Sequence, residues 1–142
     1  MKITPAYTAH ATATGGRDGA ARIAENPLEI ALATPVALGG SGKGNNPEQL
    51  FAAGYAGCFL SAMNHAPRLD KTLPKTPADA SVSAAVSIGQ REDVGFGLAV
   101  ALDVTVPGVD RAEAQRLIDF AHKVCPYSNA VRGNIEVTVT LV

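Results

Sequence analysis

Apolar and polar residues alternate strictly over Ile135-Glu136-Val137-Thr138-Val139-Thr140-Leu141-Val142, which predicts a strand with one buried and one solvated face. A second pattern has helical spacing: Ala114, Leu117, Ile118, Ala121 and Val124 predict an amphipathic helix. Asp110 is placed to cap it, and Glu113, three residues on, would complete a capping box. The helix should end where Cys125 precedes Pro126, because the residue before proline is driven out of the helical region. Tyr127-Ser128-Asn129 is then expected to continue the turn. A third pattern has no polar face. From Leu50 to Met63 the chain carries no charge and is apolar or small on every side. Asn46 can N-cap this run, Pro47 suits the first helical position, and Gln49 sits three after the cap. The expectation is a helix reaching Ala66 that is buried all round, too short to cross a bilayer. Ala52, Ala53, Gly54, Ala56 and Gly57 give it little girth, so a second backbone could approach closely.

Weaker patterns fill in the rest. Ile3–Thr14, Ala20–Ala24 and Leu28–Ala33 are strand candidates separated by Gly15–Gly19 and by Glu25-Asn26-Pro27, the spacing of a β-meander. Ser81–Gln90 and Leu98–Val106 flank a turn with Gly95 and Gly97 and predict a hairpin. Pro67–Ala80 is polar with three prolines and is expected to be a surface connection. The glycine-rich stretch Leu38–Asn46 is not a phosphate loop: Ala37 stands where the first glycine belongs, and Lys43 is followed by Gly44 rather than a hydroxyl residue. Strands, helix, strands, helix, strand make an α+β domain with mainly antiparallel sheet.

Composition narrows the function classes. A chain of 142 residues is long enough for a real core and suits one domain. A net charge of −1 with 18% charged residues lacks the basic stripe of a nucleic-acid binder. Aromatics are few and Trp is absent, so the core must be built from Ala, Val, Leu and Ile. The first residues contain no signal-like apolar segment, and no run is long enough to span a membrane. The expectation is a cytoplasmic protein with no nucleic-acid or membrane partner.

Three histidines and two cysteines carry the candidate chemistry. There is no HExxH and no Gly-x-Ser-x-Gly elbow. His122 and Cys125 are three apart, but two ligands fall short of a metal site. Two cysteines are too few for a disulfide framework, and in a reducing compartment a pair close in space is more often reactive than structural. Cys58, inside the apolar helix, reads from that helix alone first as a small core hydrophobe. As a nucleophile it would have its pKa raised by desolvation and would need a neighbouring cation. Arg17, Arg22 and Arg132 are all available for that role on sequence alone.

Long, specific strings extend this reading: TATGGRDG at 12–19, NPEQLFAAGYAGCF at 46–59, AHKVCPYSNAVRGNIEVTVTLV at 121–142, with PADASV at 77–82 and the IGQ…GFGL hairpin at 88–98. Through them the chain resembles the OsmC/Ohr family over essentially its whole length, and the CPYSN run favours the Ohr, or organic hydroperoxide resistance, branch. The resemblance implies an α+β fold with mainly antiparallel sheets around a long buried central helix, in an intertwined dimer. It implies a thiol peroxidase in which Cys58 is the peroxidatic cysteine, Cys125 the resolving one, Arg17 the activating cation and Glu48 the carboxylate that orients it. It also implies no bound cofactor or metal, organic hydroperoxides as substrates, and recycling by a dihydrolipoyl group on a lipoylated partner protein. A thiol–disulfide oxidoreductase and a non-catalytic binder of small apolar ligands are the alternatives, and the absence of a CxxC pair counts against the first.

These implied roles carry a geometric consequence. Ten residues of helix at 1.5 Å each separate the Cα atoms of Glu48 and Cys58 by about 15 Å. Helical side chains lean towards the N-terminus, which takes Glu48 further away. One guanidinium cannot reach both on an unbroken helix, so a site using Arg17, Glu48 and Cys58 is expected to combine two chains, their helices crossing near Ala53. A kink at Gly54 or Gly57 is the competing explanation.

Overall fold

The structure is a computed structural model that describes residues 2–142. The chain divides into two compact units, 1–50 and 51–142, and one continuous helix begins in the first and runs on through the second.

The first unit is a three-stranded antiparallel meander: β1 (Ala11–Thr14), β2 (Ala20–Ile23) and β3 (Leu28–Ala31), in the order β1-β2-β3. Thr14 faces Ala20 across the first turn. That turn is tight enough to demand glycine: Gly15 has φ 74°, and a Cβ on Gly19 would lie 1.8 Å from the Thr14 carbonyl oxygen. Between them Gly16–Asp18 forms a single 3₁₀ turn. Asp18 fastens it to the end of β3 by accepting from the Thr34 backbone N–H at 2.9 Å and the Thr34 hydroxyl at 3.2 Å. The strand expected over Ile3–Thr14 is confined to its last four residues, the ones with partners on β2. α1 (Pro47–Leu69) opens with the expected capping box. Asn46 accepts from the Gln49 N–H at 2.9 Å, and the Gln49 side chain accepts from the Asn46 N–H at 3.1 Å, so two otherwise orphaned donors are satisfied reciprocally.

The second unit packs α1 from Phe51 onward with β4 (Ser81–Gln90), β5 (Phe96–Thr105), α2 (Arg111–Val124), α3 (Pro126–Val131) and β6 (Val137–Leu141). β4 and β5 pair antiparallel without a slip from Ser81↔Thr105 to Gln90↔Phe96. β6 joins the other edge of β5 in parallel, so α2 and α3 lie in the crossover that a parallel neighbour requires. Alternate residues of β5 (Val100, Leu102, Val104) bury with Leu117, Ile118 and Ala121 of α2 and with Tyr55, Phe59 and Met63 of α1. Each large apolar side chain so buried stabilises the unit by roughly 1.5–3 kcal/mol.

Several details differ from the sequence expectation. α1 continues through Pro67 to Leu69; proline removes one N–H near the helix end and the last turn survives it, with Asp70 N–H bonding Ala66 C=O at 2.9 Å. The helix is not buried all round. Tyr55, Phe59, Ala62, Met63 and Ala66 are buried, whereas Leu50, Ala53, Gly57, Ser61 and Asn64 are exposed in the single chain. Their three- and four-residue spacing makes them one stripe. Gly54 is not open to a second helix, because a Cβ there would lie 3.0 Å from the Tyr127 hydroxyl and 3.2 Å from its ring. Asp110 caps α2 by accepting from the N–H groups of Ala112 and Glu113 at 3.1 and 3.3 Å, but Glu113 turns to Arg116. The turn expected at Tyr127–Asn129 is the helix α3, with Pro126 in its first turn. Among the described residues no helix is long and apolar enough to cross a membrane.

Candidate active site

In the first unit, the 3₁₀ turn, entered through the left-handed glycines Gly15 (φ 74°) and Gly16 (φ 62°), presents Arg17 to the first turn of α1. The guanidinium donates to both Glu48 carboxylate oxygens, at 2.8 and 2.6 Å. This two-pronged pairing fixes the plane of the guanidinium as well as its position. The Arg17 hydrogen bond holds the Glu48 carboxyl below the ordinary carboxylate range against the opposing effect of burial, and Glu48 in turn raises Arg17. Glu48 side-chain exposure is 12% against 37% for Arg17, so the carboxylate is the anchored partner and the arginine the reachable one. The other two candidate cations are engaged elsewhere. Arg22 pairs with Glu29 across β2 and β3 at 3.1 Å, and Arg132 donates to the His122 carbonyl at 2.7 Å.

In the second unit, the two cysteines meet. Both are free, and the Cys125 thiol donates to the Cys58 sulfur at 3.6 Å. Cys58 projects from the middle of α1 and is half-buried; Cys125 is fully buried. Cys125 ends α2 with an extended backbone (φ −63°, ψ 124°) and is also the cap of α3. Proline at the next position forces that conformation, which turns the chain sharply while keeping the thiol on the core side. Burial pushes the Cys58 thiol pKa up; a hydrogen bond from the Tyr127 backbone N–H holds it down, and the Cys125 sulfur adds to the rise. That N–H is one of the unpaired donors every helix start leaves over, here the start of α3. Among the described residues of this unit, no lysine or arginine contributes to the balance at Cys58.

A buried polar chain lies alongside, and it is invisible in the sequence patterns. Tyr55 hydroxyl and Ser128 Oγ are 2.8 Å apart, and Ser128 Oγ lies 2.9 Å from His122 Nδ1. Tyr55 and Ser128 are wholly buried. Burial pushes the Tyr55 pKa up and, with the nearby Arg132 charge, the His122 pKa down, so both groups stay neutral near pH 7. Tyr55, Phe51 and Tyr127 pack as an aromatic trio with centroids 5.7–6.0 Å apart. The only hint in the sequence was the run of polar residues after Cys125, read there as a turn. His122 and Cys125, considered as ligands, face different partners, and among the described residues no three His, Cys, Asp or Glu side chains converge as a metal site.

The fold and this pair of sites define a class. The OsmC-like protein family profile matches residues 40–140. The organic hydroperoxide resistance protein of Xanthomonas axonopodis pv. citri is 57% identical over 136 residues, which is 95% of this chain and 94% of the relative. Organic hydroperoxide resistance protein OhrA of Bacillus subtilis is 41% identical over 95% of each chain. Among solved structures, an organic hydroperoxide resistance protein from Elizabethkingia anophelis, with thiocyanate bound, superimposes with a TM-score of 0.89 at 48% identity over 98% of both chains. The chain therefore belongs to the OsmC/Ohr family.

Proposed function

We propose that the protein is a cysteine peroxidase that reduces organic hydroperoxides to alcohols, with Cys58 as the attacking thiolate and Cys125 as the resolving thiol. The observation that carries the reading is the 3.6 Å approach of two free cysteines drawn from different helices. The names of the relatives, which specify organic hydroperoxides, supply the substrate class.

In the first step the Cys58 thiolate attacks the terminal peroxide oxygen. The O–O bond breaks, the alkoxide takes a proton and leaves as alcohol, and Cys58 becomes a sulfenic acid. In the second, Cys125 sulfur attacks the Cys58 sulfur, hydroxide leaves as water with the thiol proton, and a disulfide forms. A dithiol of the dihydrolipoyl type, on a lipoylated partner protein, then reduces the disulfide by thiol exchange and is itself oxidised to the cyclic disulfide. No resident cofactor enters these steps.

A half-buried thiol whose pKa is raised needs a cation to hold its thiolate. Arg17, kept planar and charged by Glu48, supplies it in this reading, and hydrogen-bonds the peroxide oxygens as negative charge develops. The helix-length argument assigns that arginine to a second copy of the chain, so the working form is a homodimer with two composite sites. The exposed stripe of α1, small at Ala53, Gly57 and Ser61, suits the close crossing of two such helices. Cys58 packs against the apolar core of its unit, which favours an alkyl, aryl or fatty-acyl hydroperoxide over hydrogen peroxide.

The test is peroxide consumption by the purified protein with dihydrolipoamide as reductant. An aryl or long-chain hydroperoxide should be turned over with kcat/KM at least about a hundredfold above hydrogen peroxide, as burial of a few methylenes at roughly 0.8 kcal/mol each allows. Equal rates for the two peroxides would sink the substrate assignment, and no consumption of either would sink the peroxidase reading. Consumption of disulfide substrates instead would mark a thiol–disulfide oxidoreductase.

A further inference from the structure

We propose that Ser128 is a positioning residue for the resolving step: its hydroxyl pins the first turn of α3 in the place from which Cys125 closes on Cys58. This rests on the peroxidase reading above and deepens it.

α3 has only six residues. A helix that short has no stability of its own and keeps its place through tertiary bonds. Yet two groups at its start, the Cys125 thiol and the Tyr127 N–H, are the ones that meet the Cys58 sulfur. Ser128 follows them directly, and its side chain is wholly buried. The Ser128 hydroxyl joins α3 to both cysteine-bearing segments. It reaches α1 through Tyr55 at 2.8 Å and α2 through His122 at 2.9 Å. Tyr55 precedes Cys58 by three residues on α1, and His122 precedes Cys125 by three at the end of α2. The brace therefore sits about one helical turn from each sulfur.

The chain of bonds has one arrangement that satisfies every group when His122 is neutral: Tyr55 O–H donates to Ser128 Oγ, and Ser128 O–H donates to His122 Nδ1. A hydroxyl is required because a single atom must accept and donate at once. Asparagine or alanine cannot replace it at that size. To close the disulfide, the two sulfurs move from 3.6 Å to about 2.05 Å. The Cys125 thiol loses its proton, the S–S bond forms, the S–O bond of the sulfenic acid breaks, and water departs. An α3 free to shift by an ångström would meet that geometry less often.

The experiment mixes reduced protein with one equivalent of cumene hydroperoxide. It follows formation of the Cys58–Cys125 disulfide by quenched mass spectrometry, and the sulfenic acid by dimedone trapping. Ser128→Ala should lower the rate of disulfide formation relative to sulfenic acid formation by at least about tenfold, as ångström-scale misplacement of reacting groups does. Dimedone-trapped Cys58 should rise in step. Tyr55→Phe, which keeps the size of the side chain, removes one arm of the brace and should give the same change to a smaller extent, about threefold. Tyr55→Phe decides the matter if Ser128→Ala does not fold. A lowered melting temperature with the ratio of the two rates unchanged in Tyr55→Phe would overturn the proposal and leave Ser128 a merely structural residue. If the wild-type protein forms no sulfenic acid, the peroxidase reading fails and the inference falls with it. If the wild type forms the disulfide and Tyr55→Phe forms it at the same relative rate, this inference alone fails.

Discussion

Removing Tyr55 hydroxyl and Ser128 hydroxyl together should harm stability less than the separate losses add up to. The structure supplies the reason. Ser128→Ala leaves the Tyr55 hydroxyl buried with no acceptor, because Tyr55 is wholly enclosed and Ser128 is its partner at 2.8 Å. A buried unsatisfied polar group costs about 1–3 kcal/mol, beyond the roughly 1 kcal/mol of the lost bond itself. His122 is only half-buried, so its Nδ1 finds water and adds little. The single Ser128→Ala change should therefore cost about 2–4 kcal/mol. Tyr55→Phe should cost about 1 kcal/mol, since Ser128 keeps His122 as the acceptor for its proton. In the double variant no tyrosine hydroxyl is left stranded. Its cost should be no more than that of Ser128→Ala alone, a coupling of at least about 1 kcal/mol. Urea unfolding at one fixed protein concentration measures it, so that any association between chains bears on every variant alike. Losses that add to within about 0.5 kcal/mol would show that the two hydroxyls do not act as one buried unit.

Three further outcomes follow from the sites. Cys58→Ser should abolish peroxide reduction, whereas Cys125→Ser should react once, stall as sulfenic acid and over-oxidise; mass spectrometry after one equivalent of peroxide separates the two, and equal loss of the first turnover would contradict the assignment. Because Arg17 holds the Glu48 carboxyl below its ordinary range, the pair stabilises the folded chain fully above that range and stops doing so as pH falls through the lower folded value. Glu48→Gln should therefore cost at most about 1 kcal/mol at neutral pH, Arg17 being more than a third exposed, and less as the pH falls below the ordinary carboxylate range; a gap that does not shrink on acidification refutes the linkage. Co-expressed Glu48→Ala and Cys58→Ser chains should recover up to one active site per mixed dimer, and mixed dimers with no activity above either parent would exclude a site shared between chains.

Elements whose specification is local were legible in the sequence. The hairpin strand Ser81–Gln90 matches residue for residue, the Asn46–Gln49 capping box forms as expected, and the Cys125–Pro126 step ends α2. Each depends on periodicity or on neighbours within four residues, which the chain displays directly. The family was legible in long strings rather than in any single pattern. The rest depended on which segments meet in space. Alternation in Val137–Leu141 assigns faces but not a neighbour, so the parallel pairing with β5 could not be read. Small residues on α1 looked buried everywhere, yet Gly54 is filled by Tyr127 while Ala53 and Gly57 stay exposed. Ser128, Tyr55 and His122 lie up to 73 residues apart, and the Tyr127 N–H that meets Cys58 belongs to the backbone, which no side-chain pattern marks. Periodicity records what a residue's own segment needs, whereas a hydrogen bond between segments exists only once packing has chosen the partner.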